Sequence, residues 1–371
     1  MNPRVSLDGR RARPRRPTPG PAAVARRAAT VPERFAAAER AGGYITTRDD
    51  DSHMSGDYEV DHRLSDEESN VHRSWDASLD PVLTVESGDV VRFECRDAVD
   101  GQVTVETTAE DVPEISFDPV HPLTGPVAVE GAEPGDVLEV ELLDLQHKGW
   151  GYTLFFPGEM GLGLLPEEFD EAGIHVWDLD GDVGRFVNGI EVPLDPFPGV
   201  IGCAPGDPGE HDTLPPRDVG GNVDVKHMTA GSTVYLPVEA GGGLFSVGDC
   251  HAAQGDGEVC VTGVETEMFV TARLSVRSDL DVEQPELETT GPFTPTGRDE
   301  PMYATTGIAP DLMDATKRAV RHMIRHLSEH RGLSRAEAYL LCSAAVDLKI
   351  SEVVDAPNWT VTAYLPESIF P

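Results

Sequence analysis

Residues 125–146 read GPVAVEGAEPGDVLEVELLDLQ. A strand runs into a Glu-Pro-Gly-Asp turn, and another leaves it with Val137, Glu139 and Glu141 opposed to Leu138, Val140 and Leu142. Alternation with a period of two on either side of a glycine turn is the pattern of a half-buried β-hairpin. The same design stands upstream in PVLTVESGDVVRFECRD (81–97). There Leu83 and Val85 oppose Val82, Thr84 and Glu86, a Ser-Gly-Asp turn follows, and Val91, Phe93 and Cys95 share a face. A third version, TAGSTVYLPV, occupies 229–238. Three copies of one hairpin device predict a mainly β fold, sandwich- or jelly-roll-like with barrel-like elements.

Working outward, residues 149–223 are rich in glycine and proline and show little periodicity, so they read as a long irregular stretch covering a site. Strands return over 240–276. In PDLMDATKRAVRHMIRHLSEHRGLS (310–334), Leu312, Ala315, Ala319, Met323, Ile324 and Leu327 recur at helical spacing and Gly332 stops the helix. Ser334 and Glu337 form a capping box for a second helix, read as running through SRAEAYLLCSAAVDLKISEVVD. NWTVTAYLPESIF closes the chain as a strand. The class is therefore α+β, with a small C-terminal α/β portion. The expected division is a tail over 1–53, a β-rich core over 54–285, and a connection, two helices and a terminal strand over 286–371.

The net charge of −37 is unevenly spread: residues 1–53 hold eleven arginines against six acids, and the rest is strongly acidic. Lys148, Lys226, Lys317 and Lys349 are the only lysines. Such a load repels itself unless salt screens it, and the Debye length is only about 3 Å at 1 M. This reads as a salt-adapted cytoplasmic protein, as from a halophile, and disfavours binding to nucleic acid through phosphates. The Arg-Pro-Ala-rich opening lacks the apolar segment of an export signal; it reads as a disordered tail or as sequence upstream of a true start at Met54. Lys317, Arg318, Arg321 and Arg325 collect on the first helix, as a solvated face, a subunit contact or an anion contact. Five cysteines with no CxxC pair suggest reduced, mostly buried thiols. No run of apolar residues is long enough to span a membrane.

The stretch richest in chemistry is GDCHAAQGDGE, 248–258. On a strand Asp249 and His251 project together, while Cys250 points to the other side. Gly255-Asp256-Gly257 is expected to fold the chain as a tight hairpin, placing Glu258 opposite Gln254 and diagonal to His251. Apolar flanks, Leu244, Phe245, Val247, Val259 and Val261, imply burial, and buried carboxylates need a metal or a network. A second polar cluster is GGNVDVKH (220–227), with Asn222, Asp224 and Lys226 on one strand face. There is no G-x-S-x-G elbow, HExxH, P-loop or helix-opening GxGxxG.

The stretches TGPVAVEGAEPGDVLEVEL, GGNVDVKHMTAGSTVYLPV and LFSVGDCHAAQGDGEVCVTGVETE resemble the acetamidase/formamidase family, and the resemblance runs from His72 to Pro371. It implies a β-rich fold with a small α/β portion, a homo-oligomeric, often dimeric, assembly, and hydrolysis of short aliphatic amides such as formamide and acetamide to carboxylate and ammonia. The motif residues fall on His72, Asn222, Asp224, Asp249, His251, Gln254, Asp256 and Glu258.

Amide hydrolysis needs a nucleophile, polarisation of the carbonyl and a proton for the departing nitrogen. The oxygen-rich cluster with its histidine suits Zn²⁺ or another divalent cation that activates water. The expected ligands are Asp249, His251 and Asp224, with His72 as a fourth and Asp97 or His121 as substitutes. Glu258 is expected as the general base that then protonates ammonia, Asn222 and Gln254 as groups orienting the amide, and Lys226 as oxyanion stabiliser or anchor of Asp224. Cys250 is set aside as nucleophile because it faces away. Two other readings stay open: an amidase for a different or larger amide, and a non-catalytic sandwich that binds a cation or small ligand.

Overall fold

The computed structural model describes residues 58–158, 161–289, 301–354 and 356–371. The expected tail over 1–53 and most of the connection after 288 lie outside these residues.

The three repeated strand–turn–strand segments fold differently from hairpins. In the first two, the chain crosses between two sheets at the turn; the third, 229–238, holds only the strand after its turn, and the chain reaches that strand through residues 223–232 from the other sheet. Strands β3 (Leu83–Val85), β5 (Leu123–Val129) and β12 (Gly220–Asn222) belong to one sheet; their successors β4 (Val90–Cys95), β6 (Val137–His147) and β13 (Thr233–Pro237) belong to the other. The first sheet has the order β1 (His62–Leu64), β4, β15 (Met268–Arg277), β6, β13, β16 (Glu286–Glu288). The second runs β12, β11 (Phe197–Gly202), β14 (Phe245–His251), β5, β2 (Val71–His72), with β3 parallel beside β5. The turns themselves repeat in chemistry. Glu86 N donates to Asp89 Oδ2 at 2.9 Å and Glu133 N to Asp136 Oδ2 at 3.0 Å, each across a glycine of positive φ. An alternating strand needs only one apolar face to bury, and crossing the gap serves this as well as pairing back does.

The shared core between these sheets holds Val91, Phe93, Val127, Val129, Leu138, Val140, Phe197, Phe245, Val247 and Val270. Phe93 and Phe245 meet edge to face across it, ring centroids 5.6 Å apart. Each such side chain contributes about 1.5–3 kcal/mol by leaving water.

Residues 149–223 are not irregular throughout. They form an antiparallel meander of β7 (Trp150–Phe155), β8 (Gly173–Asp180), β9 (Val183–Arg185) and β10 (Glu191–Pro193), followed by β11 and β12. Several of these strands are only three residues long, too short for a period to show between glycine and proline turns. The four sheets of the described residues are open, so no barrel closes.

Helix α1 (Leu312–His330) is capped by Asp311, whose side chain accepts from Asp314 N. Helix α2 (Arg335–Ala345) begins with the expected Ser334–Glu337 capping box. It stops ten residues earlier than its sequence suggested. Residues Asp347–Glu352 form β18, the edge of a three-stranded sheet with β19 (Trp359–Pro366) and β17 (Met302–Ala309). Leu348 and Ile350 match β19 as a strand partner, and this pairing overrides helical propensity. The basic face of α1 is an intramolecular seam: Arg321 pairs with Glu168, and Lys317 lies 3.8 Å from Glu167. All five cysteines are free and buried. No helix among the described residues is long and apolar enough to cross a membrane.

Candidate active site

Strand β14 is buried along its whole length, between β11 and β5. It delivers Asp249 and His251 to one place, where Asp249 Oδ1 lies 3.8 Å from His251 Nε2. Cys250 points the other way, into the core between the sheets. Burial, followed by the neighbouring Cys95, pushes its thiol well up, which suits packing and not nucleophilic attack.

The expected hairpin after β14 does not form. Ala252 N donates to Val264 O and Val264 N to Ala253 O, both at 2.8 Å, closing a loop that contains Glu258. The loop is pinned from outside: Gly255 N donates to Ser343 O at 2.7 Å, and a Cβ on Gly255 would sit 2.2 Å from Val346 O. Contact with the C-terminal segment therefore decides the path of the chain. Glu258 still reaches the imidazole, its Oε1 3.6 Å from His251 Nε2.

Asp224 approaches from the turn after β12, placing Oδ1 3.8 Å from His251 Nδ1. Its backbone is left-handed (φ 47°), so Asn222, Asp224 and Lys226 do not share the strand face expected for them. Gly199 makes the approach possible, since a Cβ there would lie 2.5 Å from His251 Cε1 and 2.6 Å from Asp224 Oδ1. Asp249, Glu258 and His121 are left-handed as well, at φ 49°, 40° and 46°. Such backbone costs of order 1 kcal/mol or more for a residue with a side chain and concentrates where function demands a particular aim.

One central residue escaped the sequence reading. Glu265 is buried with its Oε1 2.8 Å from His251 Nε2, closer than any other carboxylate, and it accepts from Gly263 N at 2.9 Å. Its backbone bridges to both His251 and Tyr152, at the seam of β14 and β7. The available signal was an acid set between Val264 and Thr266 in an apolar segment, which marks a buried carboxylate.

Four carboxylates thus surround one imidazole. Burial raises Asp224 to about 7, with His251 pulling it down and Asp249 pushing it up. Burial first, then the surrounding acids, raises Glu258 and Glu265 well above the usual range. The cluster carries more negative charge than it can hold ionised, and added positive charge relieves it. Two donor groups have their atoms within 4.8 Å of one another: Asp224, Asp249 and His251, and His251, Glu258 and Glu265. Asp224 Oδ1, His251 Nδ1 and Glu265 Oε2 are buried without hydrogen-bond partners. A histidine with one nitrogen against a carboxylate and the other unengaged is the arrangement of a metal ligand, so these residues fit a divalent cation.

The remaining expected residues divide. Gln254 Nε2 donates to Asp224 O and Asn222 Nδ2 to Leu214 O, both at 3.1 Å, leaving each side-chain oxygen buried and unpartnered. His72 lies outside both donor groups: Nδ1 faces Ser74 O and Nε2 faces Ser246 Oγ, each at 2.8 Å, so no ring lone pair remains for a cation. Lys226 is not aimed at the cluster; Nζ pairs with Asp347 and lies 3.5 Å from Asp256. Asp97 is satisfied by Tyr152 Oη, Val99 N and Gly101 N. His121 Nε2 stands 3.7 Å from Asp249 Oδ2. Beside Gln254, a cavity of about 40 Å³ is lined by Ala253, Ala344, Ala345, Lys226 and Asp347 among others.

A family model described as the Acetamidase/Formamidase family matches residues 57–208 and 207–371. The chain is 29% identical to a formamidase of Methylophilus methylotrophus over 84% of this chain and 92% of that protein. It is 30% identical to an acetamidase of Mycolicibacterium smegmatis over 82% and 92%. Among solved structures it is similar to a gamma lactamase from Delftia acidovorans, with a TM-score of 0.77 and 30% identity over 83% of this chain and 93% of the other.

Proposed function

The chain belongs to the acetamidase/formamidase family and hydrolyses the carbon–nitrogen bond of short linear amides, and from that premise we propose that the reaction takes place at His251 and its ring of carboxylates. The observation that carries this reading is the convergence of Asp224, Asp249, Glu258 and Glu265 on one buried imidazole.

Asp224, Asp249 and His251 would hold a divalent cation, with zinc the first choice for this donor set. Such an ion polarises the carbonyl and acidifies water. The residues of the chain do the rest. Gln254 Oε1 and Asn222 Oδ1 accept from the amide N–H₂ and fix its orientation. Glu258, its carboxyl raised by burial, takes a proton from the attacking water. As the water oxygen bonds to the carbonyl carbon and the C–N bond breaks, the same carboxyl delivers that proton to the leaving nitrogen. The products are the carboxylic acid and ammonia, which part at neutral pH as carboxylate and ammonium. Glu265 acts through His251, holding its ring.

The relatives named formamidase and acetamidase support formamide and acetamide as substrates. Similarity to a gamma lactamase favours a second reading, in which a cyclic amide is also opened. The acidic load supports work in a salty cytoplasm, and the resemblance supports a homodimer.

The test is a panel of C1–C3 amides and a five-membered lactam, in molar salt, with ammonia and ring-opening as readouts. Turnover of the small amides is expected, and Glu258→Gln should keep fold and metal while losing about 10²–10⁴-fold in kcat. No turnover of any small amide by metal-replete protein would overturn the reading. Wild-type rates in Glu258→Gln would remove Glu258 from its role.

A further inference from the structure

The loop that carries Glu258 and the turn that carries Asp224 meet outside the site, at one buried carboxylate of the C-terminal segment. Asp347, the first residue of β18, receives the ammonium of Lys226, and its Oδ1 also accepts from Asp256 N at 3.2 Å. Lys226 and Asp347 have side chains only 10% exposed. Asp256 closes the triad, its Oδ1 3.5 Å from Lys226 Nζ, and Leu348 N donates to Asp256 O at 3.1 Å. Lys226 stands two residues after Asp224, and Asp256 two residues before Glu258; both neighbours hold left-handed backbone.

The arrangement answers a mechanical need. Neither strained segment belongs to a strand at that point; on the side facing the site, Asp224 N donates to Gly199 O at 3.2 Å and Gln254 Nε2 to Asp224 O at 3.1 Å. On the far side, a buried ion pair with a defined partner on a third element holds both segments. We propose that Asp347 is a positioning residue for amide hydrolysis: by clamping Lys226 and the Asp256 backbone together, it sets Asp224 and Glu258 against His251. The C-terminal α/β portion then completes the site without touching substrate. This rests on the reading of Asp224 as a ligand and Glu258 as the base.

The test uses Asp347→Asn, Asp347→Glu, Lys226→Met and the Asp347→Asn/Lys226→Met double variant of the full chain. Arg331→Ala serves as comparison, since it breaks an ion pair with Glu367 inside the same portion and away from the site. Displacement of a catalytic group by about 1 Å costs on the order of 10²-fold, so Asp347→Asn should lower kcat about 10- to 100-fold with KM changed less than about threefold. Asp347→Glu should recover part of the loss. Adding Lys226→Met to Asp347→Asn should cost less than about threefold more, because the two act as one unit. Titration of metal-stripped Asp347→Asn with Zn²⁺ should show weakened binding, which Arg331→Ala should not.

Wild-type kcat in Asp347→Asn, or a loss no larger than in Arg331→Ala at equal thermal destabilisation, overturns the proposal; so does full additivity of the two single changes. Should Asp347→Asn not accumulate as folded protein, Lys226→Met, which removes the other half of the ion pair, carries the test by the same kcat criterion. Full turnover in Glu258→Gln beside a crippled Asp347→Asn would retire the base assignment and keep the clamp. A dead Glu258→Gln beside a fully active Asp347→Asn would retire the clamp alone.

Discussion

Glu265 holds His251 at 2.8 Å, Oε1 to Nε2, while the other three carboxylates stand 3.6–3.8 Å from the ring. That relationship makes Glu265 the residue that aims the imidazole. Glu265→Gln keeps an acceptor for Gly263 N but offers an amide where the carboxylate was. Loss of an outer carboxylate of this kind should lower cation affinity or turnover about 10- to 100-fold. Glu265→Leu also strands buried donors at about 1–3 kcal/mol each, so it should cost about 2–5 kcal/mol. Steady-state kinetics and urea unfolding check the two parts separately.

A cation that binds only the folded chain should contribute stability as well as chemistry. Chelation in molar salt should abolish turnover and lower the unfolding midpoint, and returning Zn²⁺ should restore both. Binding at a hundredfold excess over Kd is worth about 2.7 kcal/mol, enough to read by thermal melting. A stripped preparation with full activity would remove the metal from the mechanism.

Cys250 sits one residue from His251 but on the core side of β14, with its thiol raised by burial. Cys250→Ala should therefore leave kcat within about twofold, at a stability cost of order 1 kcal/mol for the small cavity. Iodoacetamide should leave the folded enzyme active. Rapid inactivation by the reagent, or a dead Cys250→Ala that is still folded, would reopen the thiol as nucleophile.

These residues also show what the sequence makes legible. Alternation over 90–95 and 137–147 marks strands because each has one wet and one buried face. The same alternation does not say which sheet receives the strand, since the Glu-x-Gly-Asp turn serves a crossing as well as a hairpin. Asp249 and His251 are legible as a pair through the period of two. Glu265 is not, because its contact with His251 arises at a seam between sheets. Lys226 looked like an oxyanion donor because its partner Asp347 lies 121 residues away. Distance along the chain hides the clamp; only the packing of β18 discloses it.

The ring of His175 supplies a prediction about pH. Burial lowers it to about 4, although the Arg185 carbonyl it faces at 3.0 Å raises it. In the unfolded chain the same ring takes up a proton near pH 6.5. The folded state refuses that proton, so the stability this group contributes is full above 6.5 and is lost as pH falls towards 4. The ring keeps some solvent contact, so the loss should be about 1–2 kcal/mol. His175→Phe should flatten the difference in urea stability between pH 7 and 4.5 by that amount; an unchanged slope would contradict it.

The left-handed backbone at Asp224, Asp249 and Glu258 bears on how such a chain would drift once its reaction was no longer required. Glycine adopts that conformation without steric cost, so replacing any of the three would relieve the backbone by of order 1 kcal/mol. At Asp224 and Asp249 the loss of the cation's stabilisation opposes the exchange; at Glu258 only catalysis does. A duplicate released from selection would gain stability by losing that carboxylate. Glycine at 258 would then mark descendants that keep the fold and have given up the chemistry.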